Sequence, residues 1–542
     1  MLLSRRQVCK RAYSAVLTLQ YMPTLSWCMA ALAINEAMAS EASVSSRRYL
    51  NIQRFQAPPR WNYDLFLKPF GEDMRPSGAV GTVYRERRGR YVGIDYETTL
   101  SHGLQVPYLW SINVPAPSGE FRPMSDLLPH MLQIRGMNSL NPEHEQATKN
   151  GFFPPGSVIG LGGLGSDYST KSIAGVVVDP KSYLHGSING NLPVILNSRK
   201  DPFKDLLDPY KYSQSEDSIE WRDRLKENFQ KIDQVIEASL KSRGQGFDVI
   251  SRAKRSAKDL MMSNLNELES RWLYLLQKYE SLVSRSLTLL IPRINDIPIG
   301  KVGERGNEYN LDLQASPANS PDLRDMIAPQ TYIEGLAANF ALAELILVNN
   351  LSNSVTIQPG FLRDIQINRS SIGFAHPDEH NTGRMPSLFL NAHYDAAFSS
   401  CLLELISSLK SAGIFSSTVI QVGSEFNRLP RWDGSGSDHA FLATSVVYYS
   451  GMISGPFVMG NIALGDKEGN YQGTCGEGAT NEAIDNKILD VCYLPPTLST
   501  LLGVPFASSI RSLPSLVKVV EDKVVPLLPN GTTLDQKVSR NI

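Results

Sequence analysis

One stretch limits the possible folds more than any other: Thr418 to His439, TVIQVGSEFNRLPRWDGSGSDH. Its opening, Thr418 to Val422, is a short β-branched apolar run with the character of a buried strand. Upstream, Tyr394, Phe398, Leu402, Leu405 and Leu409 recur at steps of three and four, which predicts an amphipathic helix. Gly413 stands where a helix C-cap would fall. Helix, short loop and buried strand make half of an α/β unit. Polar residues then crowd the carboxyl end of the strand: Glu425, Asn427, Arg428, a Gly/Ser-rich turn from Asp433 to Gly436, and Asp438-His439. In open α/β sheets that end is where ligands and chemistry collect.

Further strands are predicted at Arg48–Phe55, Met131–Ile134 and Ser445–Ser450, and Phe361–Ile372 alternates like one more. Ile333–Val348 is apolar almost all round and reads as a buried helix. Between Asp217 and Ile291 the pattern becomes helical, with one stripe from Trp221 to Leu240. A second runs through Leu265, Leu268, Trp272, Leu275, Tyr279 and Leu282, before Pro292. That region predicts a helical insertion packed as a cap. Gly160, Gly162 and Gly165 fit G-x-G-x-x-G, but no amphipathic helix follows, so a loop rather than a dinucleotide site is expected.

With 53 basic against 54 acidic residues and no basic stripe, no nucleic-acid partner is expected. The N-terminus is distinctive. Ser4-Arg5-Arg6-Gln7-Val8-Cys9-Lys10 has the form of a twin-arginine export signal, followed by a moderately apolar stretch and Ala37-Met38-Ala39, a small-x-small cleavage site. Gln20 and Pro23 make that stretch a poor spanning helix, so contact with a membrane is expected only through the signal segment. An exported protein, periplasmic or secreted and folded before export, is the expectation, its mature chain starting near Ser40. Cys401 falls within the predicted helix as an apolar residue, and Cys475 and Cys492 could pair in an oxidising compartment.

Titratable groups gather in four places. Asp64 lies on a Pro-rich loop after the first strand, and Arg135-Gly136 follow the second, with Glu143-His144-Glu145 close behind. Asp378 and His380 are two apart, so an extended segment would aim both to one side. A carboxylate beside an imidazole suits zinc, manganese or iron, and magnesium less well. The fourth place is Asp438-His439. The bland alternative is an exposed loop for Asp64 and for the Asp378–His380 and Asp438–His439 pairs, and the exposed first turn of a helix after Pro142 for Glu143-His144-Glu145. A Ser/His hydrolase would need a G-x-S-x-G elbow, which is absent.

Taken together, the twin-arginine leader, Asp64-Leu65-Phe66, Arg135-Gly136 with His144, Asp378-Glu379-His380, and Ser424-Glu425-Phe426-Asn427-Arg428-Leu429-Pro430 leading to Gly436-Ser437-Asp438-His439 resemble a known pattern. It is that of a twin-arginine-exported bacterial family of unknown function, related to the alkaline phosphatase and sulfatase superfamily. The resemblance implies an α/β fold of the alkaline phosphatase kind: a three-layer sandwich around a mostly parallel sheet, with a helical cap. It also implies a divalent centre of one or two ions (Zn, Mn or Mg). Asp64 with Asp438 and His439 would hold one ion, and Asp378 with His380 the other. Arg135, His144, Glu425 and Arg428 would be the catalytic candidates, and the substrate a small phosphate or sulfate ester. No histidine follows His439 and no sulfatase C/S-x-P-x-R motif exists. The competing expectation is therefore a non-catalytic protein of the same fold binding an anionic glycan or a protein.

The expected organisation is a signal peptide over 1–39, a first α/β part over 40–216 and the helical insertion over 217–291. A second α/β part spans 292–490, with a C-terminal segment over 491–542. Replacing Arg5 and Arg6 together by Lys should hold the precursor inside the cell, which fractionation and N-terminal sequencing would show; unchanged export would refute the leader.

Overall fold

The computed structural model describes residues 47–54, 82–87, 91–96, 98–140, 176–178, 194–196, 265–292, 294–295, 326–367, 370–375, 384–430, 437–440, 444–460, 462–463, 477–478, 480–503 and 513–528. In chain order, the principal elements begin with β1 (Arg48–Arg54), β2 (Met131–Met137), β3 (Val176–Val178) and β4 (Val194–Leu196). Helices α1 (Leu265–Leu287) and α2 (Leu336–Val348) precede β6, with β5 (Tyr332–Ile333) between them. Then come β6 (Ser354–Ile357), β7 (Leu362–Ile367), β8 (Ser370–Ala375) and α3 (Arg384–Ser411). Strands β9 (Thr418–Ser424), β10 (Asn427–Pro430), β11 (Ser437–Ala440), β12 (Thr444–Tyr449) and β13 (Phe457–Met459) follow. Helix α4 (Leu494–Leu502) and the hairpin β14 (Val517–Val520) and β15 (Lys523–Pro526) complete the series.

The protein is mixed α/β around a central mixed sheet of eight strands in the order β4-β3-β6-β1-β9-β12-β2-β13. Strand β12 runs against both its neighbours, while every other pairing is parallel. The sheet is therefore mostly parallel, as expected, and alternation assigns its two faces. Leu50, Ile52, Val355, Ile357, Ile420, Val422, Val447 and Tyr449 point into a core shared with α1, α2 and α3. Tyr49, Leu132, Ile134, Val419, Val446 and Tyr448 point the other way, toward α4 and the β14–β15 hairpin. Helices thus cover both faces, the condition under which parallel strands read as unbroken apolar runs.

Two expectations about these elements need correction. The α3 helix is not amphipathic but buried on every side from Phe389 to Ile406. Helices α1 and α2 and the segment Asn113–His130 pack around it where solvent was expected. Likewise, Phe361–Ile372 is not one strand. It turns back on itself as the antiparallel pair β7 and β8, with β5 alongside, in a small sheet of its own. Its alternation reflects that separate sheet. The end of α3 matches its sequence closely: Gly413 adopts φ +69, with its N–H on the Lys410 carbonyl and the Ile414 N–H on that of Leu409. That is the Schellman pattern, which a residue with a Cβ enters only under strain.

The stripe predicted in α1 faces inward: Leu268, Trp272, Leu275, Tyr279 and Leu282 are all buried against α2 and α3. Residues 217–264 of the expected insertion lie outside the described residues. Between these three helices sits an ionic network. Lys278 Nζ donates to Glu344 at 2.8 Å and to Glu404 at 3.0 Å, and the Tyr279 hydroxyl donates to Glu344 at 2.7 Å. Burial, followed by the Glu344 charge, raises the Tyr279 hydroxyl well above its usual range. Removing one member of a buried network strands the others without compensation. Lys278→Met should accordingly cost about 3–5 kcal/mol in urea unfolding, with part of the loss recovered by adding Glu344→Gln.

Candidate functional site

The carboxyl ends of β1, β6, β9 and β2 all lie at one edge of the sheet, because these strands are mutually parallel. Register sets what stands there. Arg54 is paired with Ser424 across β1 and β9, and Ser445 with Arg135 across β12 and β2. The β9–β12 register, paired through Val422–Val447, runs on toward Ser424 and Ser445. One row along the rim therefore carries Arg54, Ser424, Ser445 and Arg135. By alternation from Ile52, Val422 and Val447, it lies on the face covered by α2 and α3. Both arginines are almost wholly buried, at 2% and 1% exposure.

A buried guanidinium needs a counter-charge, and α3 supplies one for Arg54. Asp395 Oδ1 meets Arg54 Nη2 at 2.7 Å, with both side chains at or below 4% exposure. The same guanidinium lies 4.8 Å from the centre of the Tyr394 ring and 5.3 Å from that of Phe398, within cation–π range of both. Tyr394 is fixed in turn by its hydroxyl, which donates to the Gly360 carbonyl just beyond β6 at 3.0 Å. Burial pushes the Asp395 carboxyl up to about 7 even though Arg54 pulls it down. The second oxygen, Asp395 Oδ2, is buried with no hydrogen-bond partner, and so is Ser424 Oγ.

Arg135 was expected just past a strand; instead it lies within β2, which continues through Met137 because β12 and β13 keep pairing with it. Its Nε donates to the Gly460 carbonyl at 3.4 Å. Gly460 has φ +74, and a Cβ there would collide with the Arg135 carbonyl, so this junction requires glycine. Glu425 follows β9 directly and is buried. Beyond it, β10 and β11 form an antiparallel pair in which Arg428 stands opposite His439 and Leu429 opposite Asp438. Candidate residues eleven apart in sequence are thereby cross-strand neighbours. The His439 ring is partly buried and lies 4.7 Å from the Phe426 ring, tilted by 37°.

Comparison with family models, with curated proteins and with solved structures returns no match.

Asp64, His144, Asp378 and His380 lie outside the described residues, as do the side chains of Arg428 and Asp438. The glycine-dense segment, Glu143, Glu145 and Cys475 lie outside as well. Cys401 and Cys492 are both buried thiols. Among the described residues, no three His, Cys, Asp or Glu side chains are grouped to hold a metal ion, and no helix is long and apolar enough to cross a membrane. Of the expected ion ligands, only His439 has a described side chain. The described donors alone do not fit a divalent ion.

Sequence reasoning passed over Arg54 and Asp395. A trace of each is present: Arg54 ends β1 in register with the apolar Leu50 and Ile52, and Asn391, His393 and Asp395 are polar positions in the first half of a long helix. The folded chain holds the Asp395 proton more tightly than the unfolded chain. Its contribution to stability is therefore fully present below the ordinary carboxylate value of 3.8 and fades as pH rises through about 7. Arg54→Met should cost about 3–5 kcal/mol at pH 8, where the buried Asp395 carboxyl, deprived of the charge that lowers its pKa, must take a proton from alkaline solution. The loss should be smaller at pH 5, where Asp395 can keep its proton; urea unfolding at both pH values decides.

Proposed function

We propose that the chain hydrolyses phosphate or sulfate monoesters at the carboxyl rim of its central sheet, as an exported protein of the alkaline phosphatase and sulfatase kind. The observation that carries this reading is the row of two buried arginines flanking two serines, with Glu425 and Asp395 beside it. Guanidinium groups match tetrahedral oxyanions by forked hydrogen bonds. Burial strengthens such contacts, because water does not screen them. The mostly parallel sheet with helices on both faces supports the fold assignment, and ligands of such sheets sit at this edge. Hydrolysis needs only water as second reactant: it supplies the oxygen that replaces the departing alcohol. The expected ion-holding residues remain Asp64, Asp378, His380, Asp438 and His439, with Arg135, His144, Glu425 and Arg428 as the candidates for catalysis.

A second reading is an exported protein that binds an anionic glycan or a protein partner without turnover, for which the two buried arginines of the rim would serve equally. Metal analysis of the purified mature chain separates the two. One or two divalent ions per chain, reduced by Asp438→Ala together with a loss of at least a hundredfold in hydrolysis of p-nitrophenyl phosphate or sulfate, is the expected result. Less than one ion per chain, unchanged by that substitution, would remove the hydrolase.

A further inference from the structure

The small sheet of β5, β7 and β8 meets the rim at the turn over residues 358–361, which joins the carboxyl end of β6 to β7. Gly360 in that turn accepts the Tyr394 hydroxyl at 3.0 Å, and the Tyr394 ring lies 4.8 Å from the Arg54 guanidinium. The turn belongs to no strand, so what fixes the Gly360 carbonyl lies outside the ladders.

Glu334 fixes it. The β5–β7 register, Tyr332 with Arg363 and Ile333 with Leu362, runs on to bring Glu334 beside Phe361. Two main-chain bonds form there: the Gly360 N–H donates to the Glu334 carbonyl at 2.9 Å, and the Glu334 N–H to that of Phe361 at 3.0 Å. The Glu334 side chain fills the remaining space. A Cβ at Gly360 would stand 3.0 Å from Glu334 Cβ and 3.1 Å from Oε2, inside comfortable packing distance, so glycine alone lies against this carboxylate without displacing it. Arg363 in turn holds the carboxylate. Its Nε and Nη2 both donate to Glu334 Oε2, at 3.1 and 2.9 Å, and its guanidinium lies 4.7 Å from the centre of the Phe361 ring. Four contacts thus run in series, from Arg363 to Glu334, Gly360, Tyr394 and Arg54.

The bland alternative is a staple that only stabilises the fold. Arg363 is 25% exposed, however, and an ion pair that open to water adds little stability. A planar guanidinium set on one oxygen and backed by an aromatic ring specifies geometry more than it adds energy.

Resting on the reading of the rim as an oxyanion site, we infer that Glu334 and Arg363 are positioning residues for it. Acting through Gly360 and Tyr394, they set the orientation in which Arg54 meets the bound phosphate or sulfate group. The Tyr394 ring constrains the plane of the guanidinium, while Asp395 on Nη2 constrains its rotation. Releasing the Tyr394 hydroxyl removes the first constraint and keeps the second. The charge then remains at the rim, but its donors no longer match the oxyanion, and misplacing a positioned group by about 1 Å can cost on the order of a hundredfold in rate.

The test is a double-mutant cycle read by calorimetric binding of inorganic phosphate and of inorganic sulfate to the full mature chain. Glu334→Ala and Tyr394→Phe should each weaken binding about tenfold, and the double variant by about the same tenfold, because both break one series of contacts. Glu334→Gln, which keeps an oxygen for Arg363, should restore most of the affinity. Wild-type affinity in Glu334→Ala with a lowered melting temperature, the outcome of a merely structural pair, would overturn the inference and leave the oxyanion site standing. Losses that multiply to about a hundredfold in the double variant would do the same. Failure of both ions to bind the wild-type chain would instead overturn the proposed function and this inference with it. If Glu334→Ala does not fold, Arg363→Met, at the more exposed end of the pair, enters the same cycle with the same expectation.

Discussion

The buried pair of Arg54 and Asp395 ties the two halves of this architecture together. One partner closes the first strand and the other sits in the middle of the long helix that covers it. Desolvating two charges is expensive, and their attraction offsets that cost only with short contact and further support. Here the support comes from the two aromatic rings against the guanidinium and from the Tyr394 hydroxyl, which anchors the helix to the chain leaving β6. The pair thereby fixes the depth at which α3 lies over the sheet.

From that fixed depth the rim acquires its chemistry. Three parallel strands bring Arg54, Glu425 and Arg135 to one edge, and the inserted antiparallel strand β12 contributes Ser445 to the same row. The opposite face carries a different polar set. There the Tyr49 hydroxyl donates to Gln421 Oε1 at 3.3 Å, and Asn51 accepts from both Gln53 and Gln421. These amides bond to one another and bind the strands laterally.

Much of the fold was legible in the residues. Thr418–Val422, Arg48–Phe55 and Ile333–Val348 form the elements their apolar patterns announce, since long runs of one period leave little choice. The α3 helix was misjudged because periodicity reports which residues are apolar, not how many neighbours cover a helix; Asn391 and Asp395 passed for a wet face while being buried. In Phe361–Ile372, alternation was real, but the reversal between β7 and β8 lacks the Asn-Gly or Asp-Gly that marks a hairpin. Of the candidate site, Arg135 and Glu425 were found by their place near apolar runs. The Arg54–Asp395 pair joins residues 341 positions apart, a long-range match that no local pattern encodes.

The strand order carries a consequence for how the protein is made. Among the described residues, strand β1 pairs with strands that begin at Ser354 and Thr418, and β2 with strands that begin at Thr444 and Phe457. While the ribosome is still synthesising the middle of the chain, neither early strand can yet form these pairings. Folding of such non-local topologies is slow, because long loops must close before the pairing that rewards them. Synthesis must be nearly complete before the sheet can assemble, so the interval between translation and a competent structure is built into the connectivity.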